Sequence, residues 1–221
     1  MSTIEELIRT KNIDTIFVDI DDTLYDYEHA NSKSLNLCYK DFLSFNKNIS
    51  LKKFKKDYRA CRNIIRTRFK NNGTARSRIL AFQLLLENYS FDNAYIHALD
   101  FEKKYWKYLI NNMRANKTLI NTLKSLKNDI KICAVTDMQM RYQVKKIKKL
   151  GLHNTINFMV TSEECGVEKP NKIIFEYALK KTSSLPSQTL MIGDNFQKDI
   201  SGASSMNIHT VHEKYISKDD I

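Results

Sequence analysis

Glycine and proline are scarce in this sequence, five and two in 221 residues. That excludes collagen-like and low-complexity classes and leaves no room for a long flexible linker. The four cysteines, Cys38, Cys61, Cys133 and Cys165, are far apart and form no CxxC pair and no Cys/His ligand spacing. They read as reduced thiols in or near the core, not as a disulfide frame or a zinc site. No apolar run reaches the roughly 18 residues that a membrane span requires. The opening MSTIEELIRTKN has neither the basic start nor the apolar segment of a signal peptide, so the expected setting is cytoplasmic, with no membrane partner. The length suits one large domain or a core carrying an insertion.

Acidic charge is also short, and unevenly so. The net charge is +11, which suggests an anionic partner until its distribution is read. Residues 28–115 hold 18 Lys and Arg against 7 Asp and Glu, and the rest of the chain balances to zero. The whole excess therefore lies in one segment.

Outside that segment, short apolar runs alternate with amphipathic stretches. Thr15 to Asp19, Ile130 to Thr136, Ile156 to Thr161, Thr189 to Ile192 and His209 to Val211 read as strands. Asn116 to Leu126, Gln139 to Leu150 and Pro170 to Lys181 have helical spacing. In the last of these Ile173, Ile174, Tyr177 and Ala178 are expected to share the buried face, and in RYQVKKIKKLGL Val144, Ile147 and Leu150 are. Such alternation predicts a Rossmann-like, doubly wound parallel sheet of the α/β class. The basic segment is helical throughout, over Asn31 to Phe45, Leu51 to Phe69, Ser77 to Tyr89 and Asp92 to Met113. Its breaks fall at Asn46 to Ser50, at Asn71 to Gly73 and at Ser90. The expected domains are an α/β core of residues 1–25 and 116–221 and an inserted α-helical cap of residues 26–115.

The chemistry gathers at strand ends. In TIFVDIDDTLYD an apolar strand runs into Asp19, Asp21, Asp22 and Asp26. Two like charges 4 Å apart repel by about 1 kcal/mol in water and by about 4 kcal/mol at the effective dielectric of a protein surface. A hard divalent cation reconciles such a pair, and Mg2+ takes a few carboxylates together with water and phosphate oxygens. Thr136 ends KICAVTD, Lys169 lies in GVEKP before a helix, and Asp194 and Asp199 follow a strand in MIGDNFQKDISGA. A doubly wound sheet collects residues in these places at one edge. A hydroxyl and an ammonium beside a cation suit a phosphoryl group.

These motifs, DIDDT at 19–23, the strand-ending Thr136, Lys169-Pro170 and Asp194 to Asp199, together resemble the haloacid dehalogenase-like superfamily. The resemblance is to its subgroup with a helical cap between the first and second motifs. It implies a phosphatase that works through an aspartyl-phosphate. Asp19 is then the nucleophile, and Asp21 protonates the leaving oxygen and later deprotonates the hydrolytic water. Thr136 and the backbone N–H of Asp137 bind the transferring oxygens, and Lys169 pairs with Asp19 and the phosphoryl group. Mg2+ is held by Asp19, the Asp21 carbonyl and Asp194, with Asn195 and Asp199 supporting the metal site from behind. The superfamily's dehalogenases lack the second aspartate of the pair, so the presence of Asp21 favours phosphate chemistry. The expected substrate is a small phosphorylated metabolite, either a nucleoside monophosphate or a sugar phosphate. A phosphotransferase or phosphomutase of the same fold, or a non-enzymatic polyanion-binding protein, are the alternatives.

In the cap, Lys55, Arg59, Arg62 and Arg66 fall at steps of four, three and four beside an apolar stripe of Phe54, Tyr58, Cys61 and Ile65. Most such runs are solvated faces. The functional expectation is that Arg62 and Arg66 contact a distal phosphate or carboxylate of the substrate. Nothing in the cap matches a nucleic-acid module, and FEKKYWKYLI is spaced as a packed helix. Nucleic acid is therefore not the expected partner.

Overall fold

The computed structural model describes residues 3–45, 48–70 and 73–213. Along the chain, α1 (Thr3–Lys11) precedes β1 (Thr15–Val18), and the helices α2 (Tyr27–Leu43), α3 (Leu51–Arg68), α4 (Arg78–Asn88) and α5 (Ala94–Asn111) follow. The chain then alternates through α6 (Lys117–Leu126), β2 (Lys131–Thr136), α7 (Met140–Lys149) and β3 (Phe158–Thr161). One helical turn, α8 (Ser162–Cys165), leads to α9 (Lys172–Thr182) and β4 (Thr189–Gly193). Last come a π-helical turn at Phe196–Ser201, α10 (Gly202–Ser204) and β5 (His209–His212). Two compact units result, Met1–Tyr27 with Arg114–Ile221, and Glu28–Met113. Parts of the expected breaks, residues 46–47 and 71–72, lie outside the described residues.

The first unit is the parallel α/β sheet that the alternation predicts. Its five strands run in the order β3-β2-β1-β4-β5, every neighbouring pair parallel. β1 lies at the centre and is buried along its whole length, which is why TIFV carries no polar alternation. Phe17, Cys133, Val135 and Met191 pack on one face with Ile174, Phe175, Ala178 and Leu179 of α9. The intervening Ile16, Val18, Ile132, Ala134, Leu190 and Ile192 are buried as well, so both faces are covered. Chain order reverses between β1 and β4, and a sheet of this kind takes its ligand beyond the carboxyl ends of the strands at such a point.

Two helix registers differ from expectation. On α9 the buried set is Ile174, Phe175, Ala178 and Leu179, while Ile173 and Tyr177 are exposed. Turning the helix by about one residue exchanges Ile173 and Tyr177 for the larger contact of Phe175 and Leu179 with the sheet. On α7 the buried side is Tyr142, Gln143, Lys146, Ile147 and Leu150, with Val144 only half-buried. Polar groups occupy part of a face that was expected to be apolar.

The chain leaves and re-enters this unit through paired segments. The Asp26 N–H donates to the Arg114 carbonyl at 3.0 Å, and the Asn116 N–H to the Leu24 carbonyl at 2.9 Å. The Asn116 side chain also caps α6 by accepting from the Leu119 N–H. Such a cap contributes about 1 kcal/mol.

The helical unit has its own aromatic core. Phe42, Phe54, Tyr58, Phe82 and Tyr105 are buried, with ring centroids 4.8 Å apart for Tyr58 and Phe82 and 5.3 Å for Phe42 and Phe54. The stripe expected on α3, Phe54, Tyr58, Cys61 and Ile65, is its buried side. Ser50 and Ser77 cap α3 and α4 by accepting from the Lys53 and Leu80 N–H groups.

Candidate active site

β1 delivers the first carboxylate. The Asp19 N–H donates to the Ile192 carbonyl at 2.9 Å, extending the ladder to β4 by one bond, and the Asp19 side chain is buried at the strand's end. Its Oδ1 accepts from Lys169 Nζ at 2.8 Å. The same ammonium donates to the Val135 carbonyl at 2.8 Å and lies 2.6 Å from Asp199 Oδ1. Two of the three lysine donors are hydrogen-bonded, to Asp19 and to Val135, and Asp199 Oδ1 meets the ammonium as an ion pair. Asp137 fixes the approach of this lysine, because its Oδ1 accepts from the Lys169 N–H at 2.7 Å and its Oδ2 pairs with Lys198 at 2.6 Å. Lys198 also reaches Glu168 at 3.0 Å. One carboxylate thereby ties together the loops that follow β2, α8 and β4.

Beyond β4, Asp194 Oδ1 accepts from the Thr23 hydroxyl at 3.1 Å. Asp199 Oδ2 accepts from the Asn195 N–H at 3.0 Å. This turn packs so closely that a Cβ on Gly193 would lie 2.4 Å from Asp199 Oδ2, and one on Gly202 would lie 2.9 Å from Phe175 and 3.0 Å from Pro170. Only glycine fits at either place. Asn195 serves chiefly as a helix cap, its side chain accepting from the Lys198 N–H.

Asp19, Asp194 and Asp199 each offer an oxygen, and these oxygens lie within 4.8 Å of one another. Among the described residues the cluster sets one ammonium, Lys169, against three carboxylates, and is left about two positive charges short. Burial, followed by the repulsion of Asp199 and Asp21, outweighs the pull of Lys169 and pushes the Asp19 carboxyl up to about 8. Burial and then Asp199 push Asp194 up as well. Lys169 remains charged, because its carboxylate partners outweigh its desolvation. An all-oxygen set with this deficit fits a hard divalent cation.

Asp21 stands apart from that cluster. Its side chain is half-buried, and Oδ1 accepts from Lys146 Nζ at 2.6 Å and from the Tyr25 hydroxyl. Oδ2 accepts from Gln143 Nε2 at 3.1 Å, and that nitrogen also donates to Thr136 Oγ1 at 2.5 Å. Burial alone would raise the Asp21 carboxyl, but Lys146, then Tyr25 and Gln143, hold it below its ordinary value. Asp22 takes the left-handed φ of 61° that the turn needs, and its Oδ1 accepts from the Tyr27 N–H.

The sheet unit thus brings together Asp19, Asp21, Thr136, Asp137, Lys169, Asp194, Asn195 and Asp199. Thr23, Gln143, Lys146 and Lys198 were not anticipated. The signal for Gln143 and Lys146 was their spacing, three residues apart on the same helical face as Ile147 and Leu150. In the helical unit Arg62 departs from its expected role as a contact to a substrate anion. It is buried, and Nη1 donates to the Ser77 carbonyl at 3.0 Å and the Ala75 carbonyl at 3.4 Å, so it braces the turn before α4. Arg66 is exposed on α3. Arg78 is buried over the rings of Tyr105 and Trp106, 4.9 and 5.9 Å from their centroids.

Comparison with known proteins gives the family. The haloacid dehalogenase-like hydrolase family model matches residues 13–207. A ribulose-1,5-bisphosphate 5-phosphatase of Halopiger xanaduensis is 26% identical over 197 residues, covering 89% of this chain and 82% of that one. The pyrimidine 5'-nucleotidase YjjG of Escherichia coli is 28% identical over 203 residues, covering 89% and 84%. Among solved structures, the HAD-hydrolase YfnB of Bacillus subtilis, bound to magnesium, has the same fold with a TM-score of 0.68 at 24% identity, covering 90% of this chain and 87% of that one. With its strand-end carboxylates in place and most of its length matched, the chain belongs to the haloacid dehalogenase-like hydrolases, a family of enzymes.

Proposed function

We propose that the protein is a Mg2+-dependent phosphatase that hydrolyses a small phosphorylated metabolite through an aspartyl-phosphate on Asp19. The observation that carries this is the cluster of buried Asp19 and Asp199, both paired with Lys169, and half-buried Asp194. Its deficit of positive charge suits a divalent cation and a phosphate together. The phosphatase and nucleotidase relatives support the reaction class, and the magnesium in YfnB supports the metal. The substrate class we infer is a nucleoside monophosphate or a sugar phosphate, met in the cytoplasm.

Mg2+ would be held by Asp19, the main-chain carbonyl of Asp21 and Asp194. It would supply charge that screens the nucleophile from the phosphate. Asp19 attacks phosphorus, and the bond from phosphorus to the ester oxygen breaks with its electron pair left on that oxygen; Asp21, a carboxylate in the free site, takes up a proton from solvent as the anionic ester binds and passes it to that oxygen. Asp21, now a carboxylate, then takes a proton from the water that attacks the aspartyl-phosphate. This releases inorganic phosphate and restores Asp19. Lys169 keeps Asp19 directed and offsets charge that spreads over the phosphoryl oxygens. The Thr136 hydroxyl and the Asp137 N–H bind those oxygens. Asp199 pairs with Lys169 beside Asp19 and helps to hold it in place.

The test is hydrolysis by purified protein of a panel of phosphorylated metabolites and p-nitrophenyl phosphate, with Mg2+ and with a chelator. Turnover is expected only with the metal, and Asp19→Asn should remove it while the protein still unfolds cooperatively on heating. No hydrolysis of any phosphomonoester in Mg2+, or full activity in Asp19→Asn, would refute the proposal.

A further inference from the structure

Lys146 is out of place on an ordinary amphipathic helix. Its side chain is 0% exposed, whereas Lys145, Lys148 and Lys149 on the same helix are solvated. An apolar side chain at this position would fill the face without the desolvation that a buried ammonium suffers. Gln143, one turn earlier, is equally buried. Both point to the same carboxylate, and that carboxylate belongs to the reaction. A role in packing alone explains neither the charge nor the convergence.

The donor pattern says what the pair does. A carboxylate is acceptor-only, so the Gln143 amide must face Asp21 with its NH2 group. The two hydrogens of Nε2 then go to Asp21 Oδ2 and Thr136 Oγ1. Its Oε1 is buried without a hydrogen-bond partner among the described residues, a cost accepted to keep both donors directed this way. Because the Thr136 oxygen accepts from Gln143, the threonine's own hydrogen is left to point elsewhere, toward an oxygen such as that of a phosphoryl group. Asp21 is likewise divided. Oδ1 receives two donors, Lys146 and Tyr25, which fill its two acceptor directions, whereas among the described residues Oδ2 receives only Gln143. One acceptor direction of Oδ2 stays available.

We propose that Lys146 and Gln143 are positioning residues that hold Asp21 so that Oδ2 is the oxygen exchanging protons with the leaving group and the water, while Gln143 also orients the Thr136 hydroxyl. The proposal rests on the phosphatase reading above and adds to it the two residues of α7 and the identity of the oxygen. Neither residue touches the substrate. They act through Asp21 and Thr136, so their loss should show where a proton must reach the leaving group.

A series of aryl phosphates, from p-nitrophenyl to unsubstituted phenyl phosphate, reads this directly at saturating Mg2+. Nitrophenolate departs without a proton, whereas phenolate gains from one. A general acid contributes on the order of 10²–10⁴-fold, so Lys146→Met should lower kcat/KM for phenyl phosphate about tenfold more than for p-nitrophenyl phosphate. Lys146→Arg should recover part of the phenyl-specific loss, because it keeps the charge. Gln143→Leu should reduce both substrates, since Thr136 contacts the phosphoryl group in each, with a further phenyl-specific loss. If Lys146→Met fails to fold, Lys146→Arg carries the test, with a smaller loss weighted toward phenyl phosphate expected because its donors sit differently. Equal losses across the series, or none, overturn the proposal while wild-type activity leaves the phosphatase reading standing. Absence of wild-type turnover on every ester overturns both.

Discussion

In the α/β unit, buried charge meets buried charge. Asp19, Lys169 and Asp199 form one group, Asp21 and Lys146 another, all at the carboxyl edge of the sheet. The helical unit also buries cations, Arg62, whose Nη1 donates to the main-chain carbonyls of Ala75 and Ser77, and Arg78, which lies over aromatic rings. Most of the remaining basic residues of α3 are exposed. Burial of a charged side chain is therefore not enough to mark a site. In one unit buried cations answer carboxylates placed for chemistry, and in the other buried arginines brace a turn and cover aromatic rings.

The largest effect that would break this comparison is expected at Lys169. Replacing it with Met leaves Asp19 and Asp199 buried without their cation, which should cost about 3–5 kcal/mol of stability and abolish turnover. Denaturant unfolding measures the first and phosphatase assays the second. A variant as stable as wild type would show that the cluster does not depend on its ammonium. Next is Gly193→Ala, whose Cβ would meet Asp199 at 2.4 Å. Displacing that carboxylate should raise the Mg2+ concentration for half-maximal activity by about tenfold, as loss of a supporting group at a metal site does. An unchanged metal requirement would remove Asp199 from the account.

Arg62→Met tests the other side. It strips the donors from the Ala75 and Ser77 carbonyls and should cost about 1–3 kcal/mol. The kcat and KM for a small phosphate ester should stay within about twofold. A raised KM with unchanged stability would return Arg62 to the substrate contact first expected of it. The smallest effect is one of pH. The Asp19 carboxyl is raised from 3.8 to about 8, so the folded protein binds that proton more tightly than the unfolded chain does. This contribution stabilises the metal-free protein in acid and is lost as pH rises from about 4 through about 8, and Asp194 acts in the same direction. Asp21, held below its ordinary value, contributes the opposite way, with stability lost only in acid. Mg2+ should therefore raise the Tm more at pH 8 than at pH 5, by a few degrees. A metal effect that is equal at the two pH values would contradict the charge deficit inferred for the cluster.

How much of this the sequence carried depended on whether local pattern and tertiary use agreed. Central strands such as TIFV and KICAVT are buried on both faces, so their apolar runs and polar ends were legible, and with them the places of Asp19, Thr136 and Asp194. The helical turns from Phe196 to Ser204 were not, although Asp199 was picked out by its motif, because the close packing of Gly202 against Phe175 and Pro170 leaves no local pattern. α1 also went unread, its nine residues being mostly polar. Lys146 was hidden by company. In KKIKKLGL four lysines look alike, and only the rotation of α7, set by Tyr142, Ile147 and Leu150 turning inward, sends one of them to Asp21. Arg62 failed in the opposite sense, since its regular spacing with Arg59 and Arg66 suggested a surface stripe where one member points into the core.

The central claim is that Asp19 carries the phosphoryl group between substrate and water. Acid quenching during turnover of a radiolabelled phosphomonoester, followed by proteolysis and peptide mapping, tests it most directly. The account predicts a hydroxylamine-sensitive label confined to the peptide containing Asp19 and absent from Asp19→Asn. Label on another residue, or steady turnover in Asp19→Asn, would contradict it.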